Sequence, residues 1–225
     1  MPPPTLLSTL TVPPVLGMGV MASSRDLIGI FVALELLSIP AYMLAAWRKG
    51  DVKSNEAGLK YYLMGVFASA VLLYGMSLVY GVGGSTQLTE IAARIARTPD
   101  SGVPVVTLAF LFVVVGFAFK VSAVPFHVWA PDTYEGAPTP VTAFLAVASK
   151  AAGFVALIQV VFFCFRVRPD IIQPLFFVLA IASMTVGNLI ALRQTNVVRM
   201  LAYSGIAQAG FMLAPFVVVE QQGIA

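Results

Sequence analysis

The chain has 225 residues, 59% of them hydrophobic and only 10% charged, with a mean hydropathy of +0.92. A soluble domain carries about 25% charged residues, so this composition excludes a surface wetted all round and predicts an all-α polytopic membrane bundle. The net charge of +3 falls on lysines and arginines between apolar runs, the pattern of membrane loops rather than of a nucleic-acid patch.

The amino terminus, Met1 followed by three prolines, lacks the basic region of a cleavable signal. A weak first span is predicted over Leu6–Ala22, interrupted by Pro13-Pro14, and a second over Leu27–Trp47, ending in an aromatic and basic anchor, Trp47-Arg48-Lys49. The third runs from Ala57 to Tyr80. The polar stretch Gly81–Pro104 follows, and within it Leu88–Arg97 reads as a short amphipathic segment at the interface. The fourth span starts at Val105 and meets Lys120 and then Pro125, where the missing amide and the ring clash predict a kinked or broken helix at membrane depth. Spans over Pro140–Phe165, Ile171–Leu192 and Val197–Val219 complete a bundle of six to seven helices forming one membrane domain, 1–225. With seven spans, Arg48, Lys49, Lys53, Lys60, Arg193 and Arg199 fall on one side and Arg25, Arg94, Arg97, Arg166 and Arg168 on the other, a small bias toward placing the first group in the cytoplasm.

Three ionisable residues stand inside apolar runs: Glu35, Lys120 and Lys150. A charge near the bilayer centre costs at least about 2.5–3.5 kcal/mol on insertion scales, so such groups face the bundle interior, pair with one another or line a hydrated path. Glu35 and Lys120 are either a buried structural ion pair or part of a proton relay; Lys150 is either a snorkelling lysine or the next carrier. In the relay reading, a carboxylate beside Lys120 holds its proton, and loss of that contact releases it toward Lys150 through water or polar side chains. His127 is either a satisfied interior residue or a neutral-pH relay, and Asp132 and Glu135 are either a polar helix connection or the entrance of a path. Ser204 and Gln208, four apart on one helix, either order water or pack between helices. Trp47 and Trp129 read as interface or packing residues, and Cys164 as a small apolar filler. With one cysteine and one histidine in the whole chain, a disulfide, a self-contained iron–sulfur site and bis-histidine haem are excluded.

The stretch Phe119-Lys-Val-Ser-Ala-Val-Pro-Phe-His-Val-Trp-Ala-Pro-Asp-Thr-Tyr-Glu-Gly-Ala-Pro-Thr-Pro-Val-Thr-Ala-Phe144 closely resembles the signature of the antiporter-like membrane subunits of respiratory complex I, in the form of their subunit N branch. Three further stretches agree in order: Met21-Ala-Ser-Ser-Arg-Asp-Leu27 through Leu34-Glu-Leu-Leu-Ser38, Lys60-Tyr-Tyr-Leu-Met-Gly-Val-Phe-Ala-Ser-Ala70, and Arg199-Met-Leu-Ala-Tyr-Ser-Gly-Ile-Ala-Gln208. The resemblance covers about Val15 to Phe216; residues 1–14 are atypical. It implies that Glu35, Lys120 and Lys150 are the family's membrane-embedded glutamate and lysines, and that the helix through Pro125 is discontinuous. It also implies an arm of a redox-driven proton pump in which other membrane subunits are the partners. NADH, FMN, iron–sulfur clusters and quinone would sit in those partners and none in this chain. The expected location is the inner (plasma) membrane of a bacterial cell. The family's subunits hold two inverted repeats, of which this chain matches one and the start of the second, with no position for the later exit-side lysine; the resemblance is to the central part of such a subunit. The competing functions are a subunit of a multi-subunit sodium/proton antiporter, which shares the fold and lysines, and a structural membrane module without an ion path.

Overall fold

The computed structural model describes residues 4–99 and 102–218, all of them in helices and their connections apart from one isolated bridge between Asp26 and Gln87. The helices are α1 Pro4–Ser23, α2 Leu27–Ala45, α3 Val52–Gly83, α4 Leu88–Ile95, α5 Val103–Val121, α6 Trp129–Gly136, α7 Thr139–Phe165, α8 Pro169–Ala191 and α9 Val197–Val217, the last turn of α9 being a tighter helix from Ala214. Six of them, α2, α3, α5, α7, α8 and α9, are long and apolar enough to cross a membrane. The expected first span is present as α1, which continues through Pro13 and Pro14, but its apolar stretch Thr9–Ser23 is shorter than the other six.

Polar caps fix where the long helices begin. Asp26 accepts a hydrogen bond from the Gly29 amide at 2.9 Å, Asp51 from Lys53 at 3.0 Å, and Asn196 from Val198 at 2.8 Å. Each satisfies an amide that the first turn leaves orphaned. Asp51 starts α3 five residues before the expected Ala57. The amphipathic segment forms α4 as expected, and its apolar stripe, Leu88, Ile91 and Ile95, is buried against the bundle.

The expected break after Lys120 is real but falls earlier than Pro125. Helix α5 stops at Val121, four residues before the proline, which is the carbonyl a proline ring would strike. Ser122 then turns in the left-handed region, φ 60°. The exposed backbone is satisfied from within the protein, as a hydrocarbon environment requires: the Ala123 amide bonds the Ala118 carbonyl at 2.8 Å, the Val124 amide bonds Ser183 Oγ of α8 at 2.9 Å, and Trp129 Nε1 donates to the Phe119 carbonyl at 3.0 Å.

The chain resumes as α6, antiparallel to the first turns of α3. Trp129 stacks on Tyr61 at 4.4 Å, Asp132 meets Lys60 and Glu135 meets Lys53. Helix α7 carries wider, π-type turns at Leu145–Ser149 and Val161–Phe165. Residues such as Phe67, Val147, Val178 and Leu201 point outward, the pattern of helices facing lipid.

Candidate functional site

Lys120 closes the last turn of α5 and is only 2% exposed; Lys150 follows the first π-type turn of α7 and is 7% exposed. The two lie on packed helices: a side chain at Gly153, one turn beyond Lys150, would press on the Lys120 stem at 3.1 Å. Among the described residues neither lysine has a carboxylate in contact. Lys120 Nζ donates to Ser38 Oγ at 2.9 Å, and Ser38 in turn donates to the Leu34 carbonyl at 2.7 Å. Lys150 Nζ reaches the Gly205 carbonyl at 3.4 Å and stands 5.7 Å from the centre of the Tyr134 ring.

Glu35, half-buried on α2, accepts a hydrogen bond from Ser69 Oγ of α3 at 2.5 Å. The direct Glu35–Lys120 ion pair considered from the sequence is not formed. Ser38, one turn beyond Glu35, takes the lysine's proton contact. A cavity of about 10 Å³ lies between Ser38, Tyr42, Ser69 and Lys120, at the threshold for one water.

His127 is buried at the break, its ring centre 6.3 Å from that of Tyr203, with no well-formed hydrogen bond at Nδ1. Pro125 itself is exposed. Trp129 is 1% exposed and belongs to the packing, as does buried Cys164. Ser204 and Gln208 are exposed on α9.

A second polar constellation sits where α3, α6 and α9 meet, built on cations that the sequence places at the loops. Arg199 Nη1 bridges Asp132 at 2.7 Å and Glu135 at 3.0 Å; Lys60 binds Asp132 at 2.6 Å and Glu56 at 2.6 Å; Lys53 binds Glu135 at 2.8 Å. Lys53, Glu56, Asp132, Glu135 and Arg199 line a cleft of about 130 Å³. Helix α6 lies outside the six long apolar helices, and its two carboxyls are held below their ordinary values. Hydrogen bonds from Lys53 and Arg199 do this for Glu135. At Asp132 burial pushes upward, and the contacts with Lys60 and Arg199 together outweigh it. The signal in the sequence was Asp132 and Glu135 at i, i+3 on one face, a pair that calls for cations opposite. Lys53, Lys60 and Arg199, assigned to one side from the loops, do meet at one end of the bundle, and Arg25 stacks on Phe163 at the other, 4.1 Å from its centre. Among the described residues no group of three or more histidine, cysteine, aspartate or glutamate side chains is placed to hold a metal.

Six helices long and apolar enough to cross a membrane, a helix broken after Val121 and two buried lysines describe a multi-pass, antiporter-like membrane bundle. The family described as NADH:quinone oxidoreductase/Mrp antiporter, TM, matches residues 24–225, and the chain belongs to it. It is 50% identical over 209 residues to NADH-quinone oxidoreductase subunit N of Moorella thermoacetica, covering 93% of this chain and 44% of that protein. A chain of respiratory complex I from Thermus thermophilus superposes with a TM-score of 0.81 at 41% identity, over 96% of this chain and 46% of that one. A chain of the Mrp complex from Dietzia also reaches 0.81, at 25% identity, over 92% and 38%. The chain is thus homologous to subunit N of bacterial complex I and spans less than half the length of the curated relatives it matches. Bacterial relatives and six crossing helices make it a multi-pass protein of the inner (plasma) membrane.

Proposed function

We propose that this chain carries part of a proton path in an NADH:quinone oxidoreductase, assembled with other membrane subunits, with Glu35, Lys120 and Lys150 as the proton-handling groups. The observation that carries this reading is the pair of lysines, 2% and 7% exposed, each partnered by neutral groups only. A buried lysine without a counter-charge binds its proton weakly, and its state responds to any approach or withdrawal of Glu35. Two such lysines on packed helices favour one shared proton over two. His127 would serve as a side relay at the break. Electron transfer from NADH through FMN and iron–sulfur clusters to quinone would run in partner subunits, and this chain would take up the resulting conformational or electrostatic signal.

The test is Lys120→Met in the full-length subunit, within its complex reconstituted in vesicles. Protons moved per NADH oxidised should fall while the electron-transfer chemistry keeps its partners. Unchanged pumping would leave only the structural role. A sodium-dependent pH gradient formed without NADH would assign the chain to the antiporter branch instead.

A further inference from the structure

The two buried lysines are met by different chemistry. Lys120 Nζ bonds a hydroxyl, Ser38 Oγ, at 2.9 Å. A hydroxyl both gives and accepts hydrogen bonds, so it suits an ammonium and a neutral amine alike. Lys150 Nζ instead lies over the face of Tyr134, 5.7 Å from the ring centre. At that distance the ring quadrupole attracts a cation, most strongly where water is excluded, and it offers a neutral amine no comparable attraction. Lys150 is 7% exposed. Its other contact, with the Gly205 carbonyl, is long at 3.4 Å, and an ammonium has three N–H groups to satisfy. Among the described residues no carboxylate touches it, and Lys120, the cation on the packed helix α5, is turned to Ser38.

The fold places the ring with care. Tyr134 stands between Asp132 and Glu135 in the chain; those carboxylates bond Lys60, Lys53 and Arg199, while Tyr134 is 4% exposed and points into the bundle. Its ring meets Trp129 edge-on, with centres 6.0 Å apart. Its carbonyl accepts a hydrogen bond from Thr142 Oγ1 of α7 at 3.0 Å, so the helix that carries Lys150 also holds the backbone of Tyr134. Gly136 sets how closely α6 lies on α3: a methyl there would overlap the Lys53 carbonyl. The Tyr134 hydroxyl has no hydrogen-bond partner among the described residues. What the residue presents to Lys150 is therefore its ring.

We propose that Tyr134 is a positioning residue for proton handling: its ring face holds Lys150 in the charged form and so sets how firmly this lysine keeps its proton. The hydroxyl at Lys120 serves either protonation state, whereas the ring at Lys150 favours one. This rests on the role of Lys150 proposed above.

The test uses the whole complex in vesicles, at matched assembly, and varies the ring alone. Tyr134→Phe keeps an electron-rich face and should pump as the unaltered complex does. A ring-trifluorinated phenylalanine at the same position has nearly the same shape, but its face has lost its negative potential. It should lose this chain's share of the protons moved per NADH oxidised, down to the level of Lys150→Met, at the thermal midpoint of Tyr134→Phe. Tyr134→Leu should fall to the same level. Equal pumping with the plain and the fluorinated ring, while Lys150→Met is low, overturns the role of Tyr134 and leaves the lysine path standing. A loss in Tyr134→Phe as deep as in Tyr134→Leu assigns the effect to the hydroxyl and overturns it too. Unaltered pumping in Lys150→Met removes the lysine path, and the role of Tyr134 with it.

Discussion

Lysines occur at both ends of the region around α6, and they are partnered in opposite ways. At the meeting of α3, α6 and α9, Lys53, Lys60 and Arg199 each contact a carboxylate within 3.0 Å, and these side chains are 29–70% exposed. In the interior, Lys120 and Lys150 are nearly fully buried and meet a serine hydroxyl, a backbone carbonyl and a tyrosine ring. If charge were placed for stability alone, the counter-ions would sit where desolvation is most costly. The reverse arrangement is found. The cations at the meeting of α3, α6 and α9 are matched to carboxylates and tie helices together; the two buried lysines are left with neutral partners among the described residues.

The largest effect therefore falls on activity without a matching effect on stability. Lys120→Met exchanges a buried cation for an apolar chain of similar length. Its thermal midpoint in detergent should equal or exceed that of the unaltered protein, since replacing buried charge by apolar packing is often neutral or stabilising. Proton pumping should drop by this chain's whole share. A large fall in the midpoint would show that Lys120 is structural and would erase the contrast between the two regions.

Arg199→Ala should do the opposite. It removes contacts to both Asp132 and Glu135 and loosens α6 from α9, at a cost of about 1–2 kcal/mol once solvent screening of these part-exposed groups is allowed for. Unfolding in detergent measures the cost. Electron transfer and pumping at temperatures well below the midpoint should be retained.

Much of the fold could be read from the residues, because a membrane helix is written locally. Apolar runs set the crossings, Asp26, Asp51 and Asn196 mark their starts, and Pro125 announced the break, displaced by the reach of its ring to Val121. Glu35, Lys120 and Lys150 stood out because charge in an apolar run is conspicuous. Their partners did not. Ser38 and Ser69 are ordinary in a helix, and pairing them with Lys120 and Glu35 requires knowing which faces meet across 82 and 34 residues of chain. Ser204 and Gln208 are equally hard to place from the sequence. A helix that is apolar on every side gives no periodic sign of which face is inward, and α9 turns both outward.

The ion-pair cluster also sets a pH response with a definite sign. Asp132 and Glu135 have folded values below those of free carboxyls. Their contribution is fully present above about pH 4–5, where an unfolded carboxyl is ionised. It is lost as pH falls through the lower folded values. Acid should thus open α6 first, seen as faster amide exchange over residues 128–137 while the interior of α5 stays protected. Loss of protection in both segments at the same pH would join the two regions into one unit.

The smallest effect belongs to Lys53→Ala. Its contact with Glu135, at 2.8 Å, is as short as those of Arg199, but 70% of its side chain is exposed. An exposed ion pair gains little over two hydrated ions and gives up side-chain freedom to form. Glu135 also keeps Arg199 at 3.0 Å when Lys53 is gone. The thermal midpoint should match that of the unaltered protein, in low and high salt alike. A fall that high salt abolishes would mean that the three cations act as one network, and that exposure is a poor guide to which of them ties α6 in place.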